Sequence, residues 1–330
     1  MSLKVQSFFV GGEDRFVGDL PIELRQFTNT VPETEFDPNG THSINSAYVQ
    51  AFKPDVSHHY PVILQHGGGM SGSMWETTPD GRDGWLNMFI GANYRTYVID
   101  NVGRGRAGWP AIDLNKLGSI VLRTQEEAWS LFRFGHPDNF NERVAIEGQR
   151  FPVSHLSRFS SCFVPRWLAH QEESEAALVN LLETTGPSVL VAHSQGAQAA
   201  FDTCKAKPGL VAGLVLIEPS ALPDQIEWFV EAEIPCLLVR GDNLHISKLW
   251  RDLAESYTNF DTEIKAAGGR VDILDVSSEI SPGFTHMMMM DHGNELVFNS
   301  VEKWIASTIE NKKIQKKSIP IGENHGSIQF

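Results

Sequence analysis

One serine in this chain stands where a serine can become a nucleophile. The stretch Val189-Leu190-Val191-Ala192-His193-Ser194-Gln195-Gly196-Ala197 passes from an apolar run through a polar tip into small residues. A strand, a sharp turn and a helix in that order present the serine oxygen at the tip of an elbow. Ala192 and Gly196, two residues either side, let strand and helix approach closely, although Ala192 replaces the usual first glycine. The competing reading is a serine that only caps a helix. A second segment, Gln65-His66-Gly67-Gly68-Gly69, follows another apolar run. Glycines there let backbone N–H groups reach a substrate oxygen with no Cβ in the way. The N–H groups of Gly68 and Gln195 are the expected donors to an oxyanion. The rival reading, a P-loop, is excluded, since G-x-x-x-x-G-K-[ST] is absent.

A serine nucleophile needs a base, and the base needs a carboxylate to orient it. Downstream of Ser194 the histidines are His245, His286, His292 and His325. His286 lies in Ser281-Pro282-Gly283-Phe284-Thr285-His286, a turn-rich loop between the last apolar run and the last helical pattern, and is the expected base. His292 reads as a solvated residue at the mouth of that helix. Two carboxylates end successive strands: Glu218, before Pro219, and Asp242, after Gly241. Position slightly favours Asp242, and Glu218 stays open beside it.

These residues must be held by elements, and the pattern supplies them. Short apolar runs alternate with helical periodicity from about residue 47, as βαβ units do. The expected strands are Ala47–Phe52, Pro61–Gln65, Arg95–Asp100, Ser188–Ala192, Gly213–Glu218, Pro235–Arg240 and Val271–Val276. Their unbroken Val/Ile/Leu content suits parallel strands buried on both faces. Helices are expected over Ala169–Thr185, Gln195–Lys207 and Asn294–Glu310. Residues 101–187 are too many for a plain crossover before the nucleophile strand. Trp109, Trp129, Phe132, Phe134, Phe140, Phe151, Phe159, Phe163 and Trp167 enrich the interval in aromatics. A lid over the site is expected there, with helices packed on the flank as the alternative. The lysines of the final segment, from Asn311 to Phe330, suit a helix C-terminus and receive no role.

Composition bounds the partners. The chain has 330 residues, 41% of them hydrophobic, and a formal net charge of −14, which argues against nucleic acid or an anionic membrane. No apolar run is long enough to span a bilayer, and no signal peptide is visible, so a cytoplasmic location is expected. Cys162, Cys204 and Cys236 are far apart and read as free thiols. No ligand cluster has zinc-like spacing, so neither metal nor cofactor is expected.

The chain also resembles a known group, the bacterial carboxylesterases of the Alcaligenes type, whose triad takes a glutamate after the sixth strand. The resemblance runs from about Tyr48 to Ile309. It rests on Trp75-Glu76-Thr77-Thr78-Pro79-Asp80-Gly81-Arg82, on Val98-Ile99-Asp100 with Gly103-Arg104-Gly105-Arg106, and on Ala128-Trp129 with Phe132-Arg133-Phe134-Gly135. His193-Ser194-Gln195, Glu218-Pro219 and His286-Met287-Met288-Met289 with Asp291 complete it. The resemblance implies Ser194 as nucleophile, Glu218 as acid and His286 as base, against the positional preference for Asp242. Gly68 and Gly69 replace adjacent cysteines of that group, so no disulfide forms there.

The expectation is a single domain of the α/β-hydrolase fold over residues 1–330. It has a mostly parallel central sheet flanked by helices, with a lid or cap insertion at about 107–168 between the fourth strand and the nucleophile strand. The expected activity is carboxylic-ester hydrolysis through an acyl-enzyme. A lactonase or C–C bond hydrolase with the same residues, and a non-catalytic binding protein, are the alternatives. The expected partner is a small-molecule ester or lactone, and a homodimer is left open. Met287–Met290 could line a pliable pocket but fit the core better.

Overall fold

The computed structural model describes residues 2–108 and 120–310. Trp109 and the segment 311–330, including His325, lie outside the described residues.

The strands are β1 (Leu3–Val17), β2 (Glu23–Arg25), β3 (Thr34–Phe36), β4 (Gly40–Pro54), β5 (Val62–Gln65), β6 (Thr96–Asp100), β7 (Ser188–His193), β8 (Val211–Ile217), β9 (Cys236–Arg240) and β10 (Asp272–Asp275). Eight of them form one sheet in the order β1-β4-β6-β5-β7-β8-β9-β10, and β2 and β3 form a separate ribbon. From β6 to β10 all neighbours are parallel; β1, β4 and β6 pair antiparallel. This is the mostly parallel sheet of an α/β-hydrolase fold. The strands β5, β6 and β7 are buried at every residue, as their unbroken apolar runs require.

Two sequence expectations fall short at the N-terminal edge. The first core strand starts at Gly40 rather than Ala47, and the 15-residue β1 has no counterpart in the expected set. Only Val10 of β1 is buried, so the strand lacks the apolar alternation that marks a core strand. It is held instead by its pairing with β4, from Leu3 opposite Pro54 to Val17 opposite Gly40.

The helices are α1 (Trp85–Gly91), α2 (Gln125–Leu131), α3 (Leu156–Ser160), α4 (Gln171–Thr185), α5 (Gly196–Ala206), α6 (Glu227–Glu231), α7 (Lys248–Ala266), α8 (Val276–Glu279) and α9 (Asn294–Trp304). After Trp304 the chain continues in a wider π-helical turn, Ile305–Glu310. Helices α4, α5 and α7 cover one sheet face with Ala177, Leu181, Ala200, Phe201, Tyr257 and Phe260. Helices α1 and α9 cover the other with Trp85, Phe89, Val297 and Phe298.

The described part of the 101–187 interval joins this second core. Trp129, Phe134 and Phe159 are fully buried, and Phe134 stacks on Phe151 at a centroid distance of 3.8 Å. Met287, Met288, Met289 and Met290 belong to the same cluster and are at most 1% exposed, so they are core residues. The three cysteines are free, with Cys204 and Cys236 buried.

Candidate active site

The sheet brings four loops together at its C-terminal edge, because β7, β8, β9 and β10 are consecutive neighbours. Ser194 follows β7, Glu218 follows β8, Asp242 lies just beyond β9, and His286 lies in the loop after β10 and α8.

Ser194 adopts φ 52°, in the left-handed region that non-glycine residues seldom occupy. Its N–H donates to the Ile217 carbonyl at 3.0 Å and its carbonyl accepts from Ala197 at 3.1 Å. The chain therefore reverses from β7 into α5 within one residue. Gly196 is required for this closeness, since a Cβ there would stand 2.5 Å from the His66 carbonyl oxygen. The backbone strain is held by strand pairing on one side and helix bonding on the other, as at many reactive positions.

Gly68 faces the elbow. A Cβ on Gly68 would collide with Gln195 Oε1 and with an Arg166 guanidinium nitrogen, so the loop and the start of α5 are in contact. His66 fixes the entry to this loop: its Nδ1 donates to the Gly67 carbonyl at 2.9 Å and its Nε2 accepts from Asn101 N–H at 3.1 Å. That pattern demands a neutral ring. Burial agrees, pulling the His66 pKa down to about 4.

Glu218 is fully buried and also strained, at φ 42°. Its Oε2 accepts from His286 Nδ1 at 2.6 Å, so Glu218, not Asp242, faces the imidazole. Its Oε1 accepts from Gly241 N–H at 2.8 Å and from Arg133 Nη2 at 2.5 Å. Burial alone would raise the Glu218 pKa; the Arg133 charge and the His286 contact outweigh it and bring it down to about 2. His286 is 3% exposed, and its pKa is lowered by burial, opposed by the bond to Glu218 and reinforced by the Arg133 and Arg123 charges. At neutral pH the pair is thus a carboxylate and a neutral imidazole with its proton on Nδ1. Nε2 is then free to accept a proton.

Asp242 performs another task. Its Oδ2 accepts from Gly283 N–H at 2.8 Å, and its own N–H donates to the Phe284 carbonyl at 2.8 Å. It clamps the loop that carries His286 without touching the ring. Asp291 holds the same loop from the other side, accepting from Thr285 N–H at 2.6 Å and Thr285 Oγ1 at 2.9 Å. His292, by contrast, has a side chain 60% exposed and lies 3.7 Å from Asp80. His245 is exposed.

Three residues of the site went unassigned in the sequence. Arg133 is fully buried, ion-paired to Glu218, and lies with its guanidinium 4.0 Å from the Trp250 ring centroid. Trp250 in turn packs 4.8 Å from the His286 ring. His193 stands 4.4 Å from His286, ring to ring, and its Nε2 donates to the His286 carbonyl at 2.9 Å. The available signal for Arg133 was its setting, a lone cation in the aromatic run Phe132-Arg133-Phe134; arginine in a core is almost always paired. Among the described residues, no group of three or more His, Cys, Asp or Glu side chains is placed to hold a metal ion. No described helix is long and apolar enough to cross a membrane.

A serine on a strained strand-to-helix turn, with a buried histidine–carboxylate pair in the loops that follow, suits an α/β hydrolase. The chain belongs to the alpha/beta hydrolase family, whose sequence profile matches residues 62–275. It is similar to a novel bacterial esterase of known structure, 31% identical over 93% of this chain and 96% of that one, with a TM-score of 0.80. It is also 27% identical over 206 residues to the probable secreted lipase phiG of Fungal sp. (strain ATCC 74256). That match takes in 57% of this chain and 53% of the lipase, so it spans about half of that relative's length.

Proposed function

We propose that the protein hydrolyses carboxylic esters through an acyl-enzyme formed on Ser194. The observation that carries this reading is the 2.6 Å contact between a buried, ionised Glu218 and His286 Nδ1, which leaves Nε2 of a neutral imidazole as a base. In the proposed cycle His286 takes the Ser194 proton as the hydroxyl attacks the ester carbonyl. The N–H groups of Gly68 and Gln195 bind the resulting oxyanion, and His286 returns the proton to the leaving alcohol. Water then repeats the sequence on the acyl-serine. Glu218 stays ionised and stabilises the imidazolium while it exists. The esterase and lipase names of the two relatives support an ester as substrate. The reading also takes the aromatic segment at about 107–168 as a cap over the site, supported by its direct ion pair from Arg133 to Glu218.

The test is hydrolysis of p-nitrophenyl esters of increasing acyl length, run beside a panel of lactones. Ester turnover should be lowered about 10⁴-fold or more in Ser194→Ala, with the fold intact. Near-normal turnover by a folded Ser194→Ala protein would reject the mechanism, and turnover of lactones alone would replace the ester by a lactone.

A further inference from the structure

Three arginines beside the oxyanion loop have no part in the proposed cycle: Arg104, Arg123 and Arg166. An antiparallel bridge joins Val121 to Arg166, with N–H to carbonyl distances of 2.8 and 3.1 Å, and so brings Arg123 and Arg166 together. The same segment is tied to the oxyanion loop, where Val164 N–H donates to the Gly69 carbonyl at 3.0 Å. Arg166 Nη1 donates to Gln195 Oε1 at 2.8 Å and borders Gly68. Arg123 Nε lies 3.2 Å from where a Cβ of Gly69 would stand. Two guanidinium groups therefore flank the two glycines that present the loop to a substrate. Arg123 also lies 4.9 Å over the Phe132 ring, which is itself 5.3 Å from His286.

This concentration of positive charge is unexpected in a chain of formal net charge −14. The charges interfere with one another. Burial and the Arg166 charge bring the Arg104 pKa down to about 10, and burial and Arg166 also lower that of Arg123 against the pull of Glu127. Among the described residues neither Arg104 nor Arg166 pairs with a carboxylate. Arg104 spends its donors on the Pro165 and Trp167 carbonyls, at 3.1 and 3.5 Å. Arg123 pairs through Nη1 with Glu127 at 2.9 Å, and that glutamate is 44% exposed, on the solvent side. The Arg123 side chain itself is only 6% exposed, and its Nε is buried with no partner among the described residues. A buried donor left unpaired is costly unless a ligand completes it.

We propose that Arg123 and Arg166 form a carboxylate-binding subsite beside the oxyanion loop, and that the natural substrate is an ester that also bears a free carboxylate. This rests on the esterase reading and narrows it. Arginine suits the role, because its planar fork matches a carboxylate and it remains charged at working pH. The substrate carboxylate satisfies the orphaned Arg123 donor and offsets the repulsion between the guanidinium groups. An Arg166 that served only to hold Gln195 would treat neutral and anionic esters alike.

The experiment compares p-nitrophenyl hexanoate with the p-nitrophenyl monoester of adipic acid, which differs by one terminal carboxylate. For the unmodified protein, kcat/KM should favour the monoadipate by about tenfold or more, the worth of one charge-assisted hydrogen bond. The preference should shrink as sodium chloride rises. The ratio of the two kcat/KM values should fall about tenfold in Arg123→Gln and in Arg166→Gln, chiefly through KM, and less in Arg166→Lys. Hydrolysis of the hexanoate with a ratio near one would overturn the subsite and leave the esterase reading standing. A ratio unchanged in both glutamine variants would overturn it equally. Failure to hydrolyse either ester, with Ser194 inert, would remove both readings.

Discussion

Glu218 lies between two partners that both stabilise its charge. Arg133 and His286 occupy different carboxylate oxygens, Oε1 and Oε2, so neither displaces the other. The amide in Glu218→Gln keeps the shape and removes the charge, and should lower kcat by about 10⁴. Asp242→Asn keeps an oxygen for Gly283 N–H and should lower it less than about tenfold; the opposite ranking in steady-state assays would return the acid to Asp242. Arg133→Met leaves a buried carboxylate with one partner fewer, and should cost about 3–5 kcal/mol in denaturant titration. It should also raise the pKa of His286, since the Arg133 charge holds it down. The acid limb of kcat/KM, expected below the ordinary histidine value of 6.5 in the unmodified protein, should then move upward. An acid limb that stays in place would show that Arg133 acts on packing alone. The sharp turn that holds Ser194 and the loop that holds His286 were legible from local context, a strand–turn–helix and a turn-rich segment. Glu218 and Asp242 were not separable by position, because each ends a strand at the same sheet edge. Contact separates them: Glu218 Oε2 meets His286 Nδ1, whereas Asp242 Oδ2 meets Gly283 N–H. The aromatic setting of Arg133 hinted at burial but not at its partner, which lies 85 residues away in sequence.

At the scale of elements, what positions the site is contact between segments distant in sequence. The glycine loop after β5 touches the start of α5, and Gly68 has no room for a side chain. Gly68→Ala should therefore displace the loop and lower kcat by about 10²–10³, the worth of an oxyanion donor. A variant with kcat unchanged would show that this N–H does not bind the oxyanion. The parallel strands were readable because burial on both faces writes an unbroken apolar run into each. The strand β1 was not readable, since nearly all of it is exposed and only its partner β4 defines it. The aromatic interval was legible as too long for a plain crossover, yet the packing of its described part was not. Composition cannot reveal that Trp129, Phe134 and Phe159 share one core with Phe284 and the methionines.

For the whole molecule, buried titratable groups set the pH range of stability. His66, His193 and His286 all have pKa values lowered chiefly by burial, and Glu218 is brought down by its cationic neighbours. Each contributes stability that is present above its unfolded pKa and lost as pH falls toward its folded one. For the histidines the loss begins near 6.5, and for His66 it extends to about 4. Asp291 has the opposite sign. Burial raises its pKa from 3.8 to about 7, so its contribution is present below 3.8 and lost as pH rises through about 7. Three histidines outweigh one aspartate, and denaturation midpoints should fall steadily from pH 6.5 to 4. A midpoint independent of pH over that range would contradict the neutral, buried state assigned to these rings.

The central claim is that Ser194 is a nucleophile activated by His286, and covalent capture reads it directly. A fluorophosphonate forms a stable adduct only with an activated serine, and mass spectrometry of the digested protein locates it. The account predicts one adduct per chain, on the peptide containing Ser194, with loss of ester hydrolysis in proportion to labelling and no adduct in Ser194→Ala. Full hydrolytic activity in a protein that resists the probe, or an adduct on another serine, would contradict it.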